Sequence, residues 1–287
     1  MDIKRKPEWL KISRQMGAHY GEVSNMVNSC RLHTICQSGK CPNMHECWSR
    51  GTATFMIMGD ICTRTCKFCA TNSGRPTPLD TKEPQHLAQS IEAMQLKHVV
   101  LTCVTRDDLP DQGARHWVDC ITAVKQRCPQ TTIEILTSDF FGNKDLIEKV
   151  AKAQPDIFAH NLEVVRRLTP AIRSRATYDN SLKTLQLIAA TGIPAKTGIM
   201  AGLGENRQEV LDTMDDALAA GCTIFTIGQY LQPSRQQVPV EEYITPQQFD
   251  YYRQAALQKG FKHCESGPLV RSSYHAEEAA KTSIHKQ

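Results

Sequence analysis

Two cysteine triplets carry most of the chemistry this chain could perform. The first, Cys62-Thr-Arg-Thr-Cys66-Lys-Phe-Cys69, is a C-x3-C-x2-C run that follows directly on an apolar stretch over residues 53–58. Offsets of four and three also describe one face of a helix. The intervening Thr63, Arg64, Thr65 and Lys67 form no apolar stripe that such a helix could bury, so a loop of ligands is the better reading. Thiolates are soft donors that select zinc, copper or iron–sulfur clusters. A structural zinc site takes four ligands, usually in two close pairs. Three thiolates in one tight loop instead fit three irons of a [4Fe–4S] cube and leave the fourth open to a small molecule. An electron-carrying cluster normally has every iron closed by protein.

The second triplet, Cys36-Gln-Ser-Gly-Lys-Cys41-Pro-Asn-Met-His-Glu-Cys47, is C-x4-C-x5-C. That spacing matches neither a helix face nor a zinc ribbon, and Gly39 and Pro42 make it a loop. Its three thiolates imply a second iron–sulfur cluster. The other six cysteines (Cys30, Cys103, Cys120, Cys128, Cys222 and Cys264) have no ligand spacing and read as small hydrophobes. The ten histidines form no H-x-x-x-H pair. Twelve cysteines in 287 residues fall well short of the roughly 8–10% of a disulfide scaffold. The basic start of the chain has no apolar stretch after it, so a cytoplasmic location is expected, with thiols reduced and free for metal.

These ligands need a frame. The apolar runs predict strands over 53–58, 98–103, 132–136, 156–160, 195–200 and 223–228, each bounded by polar, Gly or Pro residues as buried parallel strands are. Between them, Trp117, Ile121, Val124 and Cys128 share one helical face. Asn206 with Glu209 reads as a capping box, and Thr245-Pro-Gln-Gln as a helix start that runs to Gly260. Six alternations predict an α/β fold, a partial (β/α)6 barrel with right-handed crossovers, too short to close with eight strands. Residues 1–52 form an N-terminal extension with the second triplet, 53–262 the core, and 263–287 a C-terminal tail. Function is then expected at the C-terminal ends of the strands. A net charge of +4 is too mild to argue for nucleic acid, and no run approaches the roughly 18 apolar residues of a membrane span.

With an aromatic residue, Phe68, before its last cysteine, the first triplet resembles the signature of the radical SAM superfamily. The resemblance implies that Cys62, Cys66 and Cys69 hold a [4Fe–4S] cluster whose open iron is chelated by S-adenosylmethionine. One electron would split that cofactor into methionine and a 5′-deoxyadenosyl radical, which abstracts hydrogen from an unactivated carbon. Further segments narrow the likeness: Cys41-Pro-Asn, Glu46-Cys47-Trp48, Arg106-Asp-Asp-Leu109, His160-Asn-Leu-Glu163, Gly228-Gln-Tyr-Leu-Gln-Pro233 and Arg271-Ser-Ser-Tyr274. In order and spacing, from about Pro7 to Ala276, they resemble the lipoyl synthase family.

That resemblance implies an auxiliary [4Fe–4S] cluster on Cys36, Cys41, Cys47 and Ser273, consumed as the sulfur source. Two sulfurs would enter at C6 and C8 of an octanoyl-lysine on a lipoyl domain or on the glycine-cleavage H protein, with an electron donor such as flavodoxin or ferredoxin. In an extended tail, Ser272 and Ser273 would point opposite ways, so only one would be a ligand. Phe68, Asn161, Glu163, Gly198 and Gly202 are the candidates for binding S-adenosylmethionine. Arg173 and Arg175 are alternative partners for its carboxylate, and Arg271 would hold the tail or meet substrate. The chain departs from the family pattern at Gln237, at Gln37-Ser-Gly39 and at Thr105; none of these is expected to touch a cluster ligand, which places the difference in carrier recognition. The rival readings are another sulfur-inserting radical enzyme, a non-catalytic iron–sulfur electron carrier and a structural zinc protein.

Overall fold

Short apolar runs flanked by turn-formers make the central strands of the sheet, which in the computed structural model are buried along most of their length. The structure describes residues 5–11, 17, 19–29, 32–49 and 53–283. The strands are β1 His33–Thr34, β2 Thr54–Ile57, β3 Ile61–Cys62, β4 Asn72–Ser73, β5 His98–Cys103, β6 Thr132–Leu136, β7 Ile157–Ala159, β8 Ala195–Ala201, β9 Cys222–Gln229 and β10 His263–Gly267. The helices are α1 Tyr20–Ser29, α2 Ile35–Ser38, α3 Met44–Ser49, α4 Glu83–Ala93, α5 Ala114–Arg127, α6 Lys144–Ala151, α7 Thr169–Ile172, α8 Tyr178–Ala189, α9 Arg207–Ala219, α10 Pro246–Lys259 and α11 Ala276–Ser283.

One sheet runs in the order β1-β2-β5-β6-β7-β8-β9-β10. Every pairing from β2 to β10 is parallel, while β1 adds antiparallel to the edge of β2. The two ends of the sheet do not pair, so the barrel is open. All six expected strands are present, with a further strand at each end. β10 begins one residue past Lys262, so the sheet continues across the boundary drawn between core and tail. Its sequence, His-Cys-Glu-Ser-Gly, has little of the apolar character that marks the others.

The helices follow their local signals. The capping box of α9 forms in both directions between Asn206 and Glu209. In α10, the Thr245 hydroxyl accepts from the Gln248 amide, Pro246 sits in the first turn, and Gly260 ends the helix in the left-handed region. Trp117, Ile121 and Val124 of α5 are fully buried, and Cys128 caps the helix at the edge of the core.

Period-two alternation sorts the lumen into floors. On β8, Lys196, Gly198 and Met200 share a face; on β9, Ile224, Thr226 and Gly228 do. The lower floor holds a buried ion pair, Lys196 Nζ to Glu134 Oε1 at 2.6 Å, together with α11, whose Ala279 and Ala280 pack on Ile157 and Ile224. The upper floor, at the C-terminal strand ends, is a cavity. No helix among the described residues is long and apolar enough to cross a membrane.

Candidate active site

The first triplet lies where the chain leaves β2. Met58 and Gly59 take φ of 69° and 87°, turning the backbone out of the strand. The Met58 N–H donates to Glu83 Oε2 at 2.8 Å, and the same oxygen pairs with His116 Nε2. β3 and β4 pair in parallel and clamp the ends of the loop between them. Within it the Cys69 N–H donates to Cys66 O at 3.1 Å and the Thr63 N–H to Thr105 O at 3.0 Å. All three thiols are half-buried.

Arg64, between the first two cysteines, is the anchor that sequence reasoning missed. Its guanidinium donates to both oxygens of Asp107, at 2.9 and 3.0 Å, and to Asp139 Oδ1 at 2.7 Å, with its side chain 4% exposed. Burial alone would raise the Asp139 carboxyl, but the Arg64 guanidinium overrides it and holds the group at about 2. The partners lie 43 and 75 residues away, a pairing no local pattern could reveal. Gln237 corrects another expectation: its Nε2 donates to Cys69 O at 3.1 Å, so this departure from the family pattern does touch a candidate ligand residue. Thr105 touches none of the three cysteines: its carbonyl accepts from the N–H and the hydroxyl of Thr63, the residue after Cys62.

The second triplet was expected as a loop and is two short helices joined by a turn. Thr34 caps α2, which places Cys36 inward; Cys41 lies in the turn and Cys47 on α3. Burial pushes the Cys36 thiol up to about 11, aided by Cys41 nearby. Asn43 Nδ2 donates to Leu269 O at 2.6 Å and the Tyr274 hydroxyl to Glu46 Oε1 at 3.2 Å, which ties the tail to this arm.

The tail around Arg271 is a turn rather than the extended segment expected, yet its two hydroxyls still part company. Thr54 Oγ1 donates to Ser273 Oγ at 2.8 Å, on the residue whose backbone also bonds the Cys36 sulfur. Ser272 Oγ accepts instead from Asn161 Nδ2 at 2.8 Å. Arg271 is half-buried, desolvation lowers it from the usual arginine range, and the Cys41 thiol beside it works in the opposite sense.

Both triplets open on one cavity of about 360 Å³. Its lining includes five of the six candidate cysteines, all but Cys47, and also Ser272, Ser273, Phe68, Asn161, Glu163 and Gly198. The donor set fits two thiolate-bound clusters: two groups of three thiols, one hydroxyl beside the second group, and apolar walls from Val100, Leu136, Ile199 and Val270. Glu163, at φ 69°, extends the β7–β8 pairing through backbone bonds to Gly198 and Met200. Its half-buried carboxyl is raised by desolvation, which Arg173 partly offsets. Arg173 lines the cavity, and its Nε is buried with no hydrogen-bond partner among the described residues. Arg175 faces out, 3.3 Å from Asp107. Geometry therefore separates two arginines that sequence alone could not.

The glycines have packing reasons. A Cβ on Gly198 would come within 2.1 Å of Thr226 Oγ1. Gly202 takes φ 95°, and a Cβ there would meet Gln229 Nε2 at 2.2 Å and Glu242 O at 2.3 Å. The structure does not bring Gly202 to the cavity. Cys103, read as a plain hydrophobe, does line it, and burial pushes its thiol up to about 12. Cys120, Cys222 and Cys264 are core residues, and Cys30 lies outside the described residues.

Residues 56–217 match the family model of the radical SAM superfamily. The chain is 60% identical over 273 residues to the lipoyl synthase of Parabacteroides distasonis, covering 95% of this chain and 97% of that one. It is 57% identical to the lipoyl synthase of Phocaeicola vulgatus, over 98% and 99% of the two. The solved structure of methylornithine synthase superposes with a TM-score of 0.59 at 12% identity, over 84% of this chain and 70% of that one, a likeness of fold alone. The open parallel barrel, the two thiol triplets on one cavity and this near full-length identity place the chain in the radical SAM superfamily and, within it, in the lipoyl synthase family.

Proposed function

We propose that the chain inserts two sulfur atoms, at C6 and C8, into an octanoyl-lysine presented by a lipoyl domain or the glycine-cleavage H protein. The observation that carries this is the meeting at a single cavity of the first cysteine triplet, two cysteines of the second and the tail serine. S-adenosylmethionine and the cluster on Cys62, Cys66 and Cys69 supply a hydrogen-abstracting radical when bound, and the cluster on Cys36, Cys41, Cys47 and Ser273 supplies the sulfur.

The chain's own part is to bind, orient and exclude water. Arg173, with a buried donor to spare, takes the cofactor carboxylate. Asn161, fixed by Ser272, and the cavity-lining Glu163 take its ribose or amino group. The small Gly198 leaves the Thr226 hydroxyl at the wall, and Phe68 of the cysteine loop packs on the buried group of Val164, Ile172, Leu203 and Tyr230. The apolar walls accept an acyl chain and keep water from a reactive intermediate. An electron donor of the flavodoxin or ferredoxin kind supplies the reducing equivalents.

The test is anaerobic: reconstituted chain, S-adenosylmethionine, dithionite and an octanoyl-lysine peptide, followed by mass spectrometry of the peptide. Two sulfurs gained together with 5′-deoxyadenosine is the expected result. Cys36→Ala is expected to form 5′-deoxyadenosine without sulfur gain, and Cys62→Ala to form neither. Sulfur insertion that survives in Cys36→Ala would sink the auxiliary assignment, and intact clusters that yield neither product would favour the electron-carrier reading.

A further inference from the structure

Three stretches of the chain that converge on the first cysteine loop contain no Asp or Glu: residues 61–79, 164–178 and 228–240. Their basic residues divide by environment. Arg64 is buried on its two aspartates, Arg173 lines the cavity, and Arg166 and Arg167 are paired with Asp179 and Glu209. The cations left at the surface are Lys67, Arg75, Arg175 and Arg235, all exposed.

Each is held against the cluster loop by a bond of its near neighbours. Ser174 Oγ accepts from the Thr65 N–H at 3.1 Å and lies 3.7 Å from Cys66 Sγ, which sets Arg175 beside the loop. Gly74 donates to Cys62 O at 3.0 Å and brings in Arg75. Val238 donates to Lys67 O at 3.0 Å and Gln237 to Cys69 O at 3.1 Å, which bring in Arg235. No ion pair is formed by Lys67, Arg75 or Arg235 among the described residues, while Arg175 shares Asp107 with Arg64.

An apolar group sits at the same place. Phe141 is 45% exposed, and its ring lies 4.8 Å from the Arg64 guanidinium carbon. Phe140 and Phe141 both take left-handed φ, 43° and 48°, a costly state for bulky side chains that persists where surrounding contacts impose it and often marks function. A buried Phe140 anchors the turn, so the strain holds one aromatic ring out in solvent.

We propose that this outer face of the cluster loop is the docking surface for an acidic one-electron donor protein. An exposed aromatic on Arg64, with Arg175 linked to it through Asp107 and the unpaired Lys67, Arg75 and Arg235 held to the same cysteine loop, is the make-up of a small, transient, electrostatically steered interface, the class to which redox encounters belong. Electron transfer falls steeply with distance, and this face reaches the cluster ligands through single hydrogen bonds rather than across the barrel. The donor gives up one electron and the cluster takes it up; no proton or bond moves. The proposal rests on the assignment of a cluster to Cys62, Cys66 and Cys69.

The test compares the loaded wild-type chain with Arg75→Glu/Arg235→Glu, whose side chains reach neither cavity nor ligand. An acidic flavodoxin carrying a fluorescent label reports binding by anisotropy, and 5′-deoxyadenosine is measured with either reduced flavodoxin or dithionite. The variant is expected to bind flavodoxin about tenfold or more weakly at low salt and to lose most of the wild type's salt dependence. Its flavodoxin-driven rate should fall by a similar factor while its dithionite-driven rate is unchanged. Equal affinity and equal salt dependence in the two chains would overturn the proposal. So would a variant that keeps flavodoxin binding and loses binding of an octanoylated lipoyl domain, which would give this face to the carrier. A wild-type chain that binds flavodoxin but forms no 5′-deoxyadenosine with dithionite would instead remove the cluster assignment on which the proposal stands.

Discussion

At the scale of single residues, what the sequence displayed and what it hid differ by the reach of the interaction. The six candidate cluster cysteines announce themselves because their spacing is local. Arg64 does not, because both of its carboxylate partners arrive from later strand ends. Removing one partner of a buried pair leaves the other charge stranded, at a cost of about 3–5 kcal/mol. Arg64→Met is therefore expected to lower chemical-denaturation stability by that order and to loosen the first cluster. The pH dependence has a definite sign. Asp139 is held at about 2, below its ordinary 3.8, so its contribution is complete above pH 4 and is lost as pH falls through 2. Without the guanidinium, burial is opposed only by His160 and the Phe141 amide, and that acid loss moves to higher pH, which a denaturation series between pH 2 and 6 would detect. Ser273 makes a second residue-scale prediction. A hydroxyl is a hard ligand on a soft cluster, so Ser273→Cys should hold iron more firmly and slow sulfur insertion while 5′-deoxyadenosine still forms. Unchanged sulfur insertion in that variant would argue that Ser273 is not a ligand.

At the scale of elements, the strands and helices legible in the sequence are those whose own residues decide them. The α9 capping box needs only Asn206 and Glu209. Asn206→Ala should cost about 1 kcal/mol, a fall of about 2 °C in melting temperature for a chain of this size, and should leave cofactor binding untouched. β10 was not legible, because its pairing with β9 is set by register and not by its own composition. The second triplet was misread for a related reason: Gly39 and Pro42 do break the chain, but capping by Thr34 makes a helical turn on one side and α3 follows on the other. Gly198 shows the same limit within a strand. Its reason is Thr226, across the β8–β9 ladder. Gly198→Ala should therefore disturb the β8–β9 wall and weaken binding of S-adenosylmethionine, measured by equilibrium dialysis, and Thr226→Ala should restore part of the loss because the hydroxyl is the nearest clash.

At the scale of the whole molecule, the chain must bring its two ends to the top of an open barrel, and α11 is how it secures the second. The chain climbs β10, turns across the cavity at Arg271–Tyr274, and descends as α11 against β5, β9 and β10. Small side chains let the helix fit: Ala276, Ala279 and Ala280 are all buried, the latter two on Ile157 and Ile224. At the far end the Thr282 hydroxyl lies 3.5 Å from His263 Nδ1, at the foot of β10. The serine that faces Thr54 is thus held by a helix on one side, by a strand on the other and by Asn43 and Glu46 from the N-terminal arm. This arrangement separates the two clusters mechanically, since the first triplet depends on β2, β3 and Arg64 and takes nothing from the tail. A charge at Ala280 cannot be accommodated against Ile157 and Ile224 without breaking that contact. Ala280→Glu is accordingly expected to free the tail, to make about half of the iron accessible to a chelator, and to abolish sulfur insertion while 5′-deoxyadenosine formation continues. Loss of all the iron would show that the barrel itself had failed, and a variant with full iron retention and sulfur insertion would show that α11 does not position Ser273.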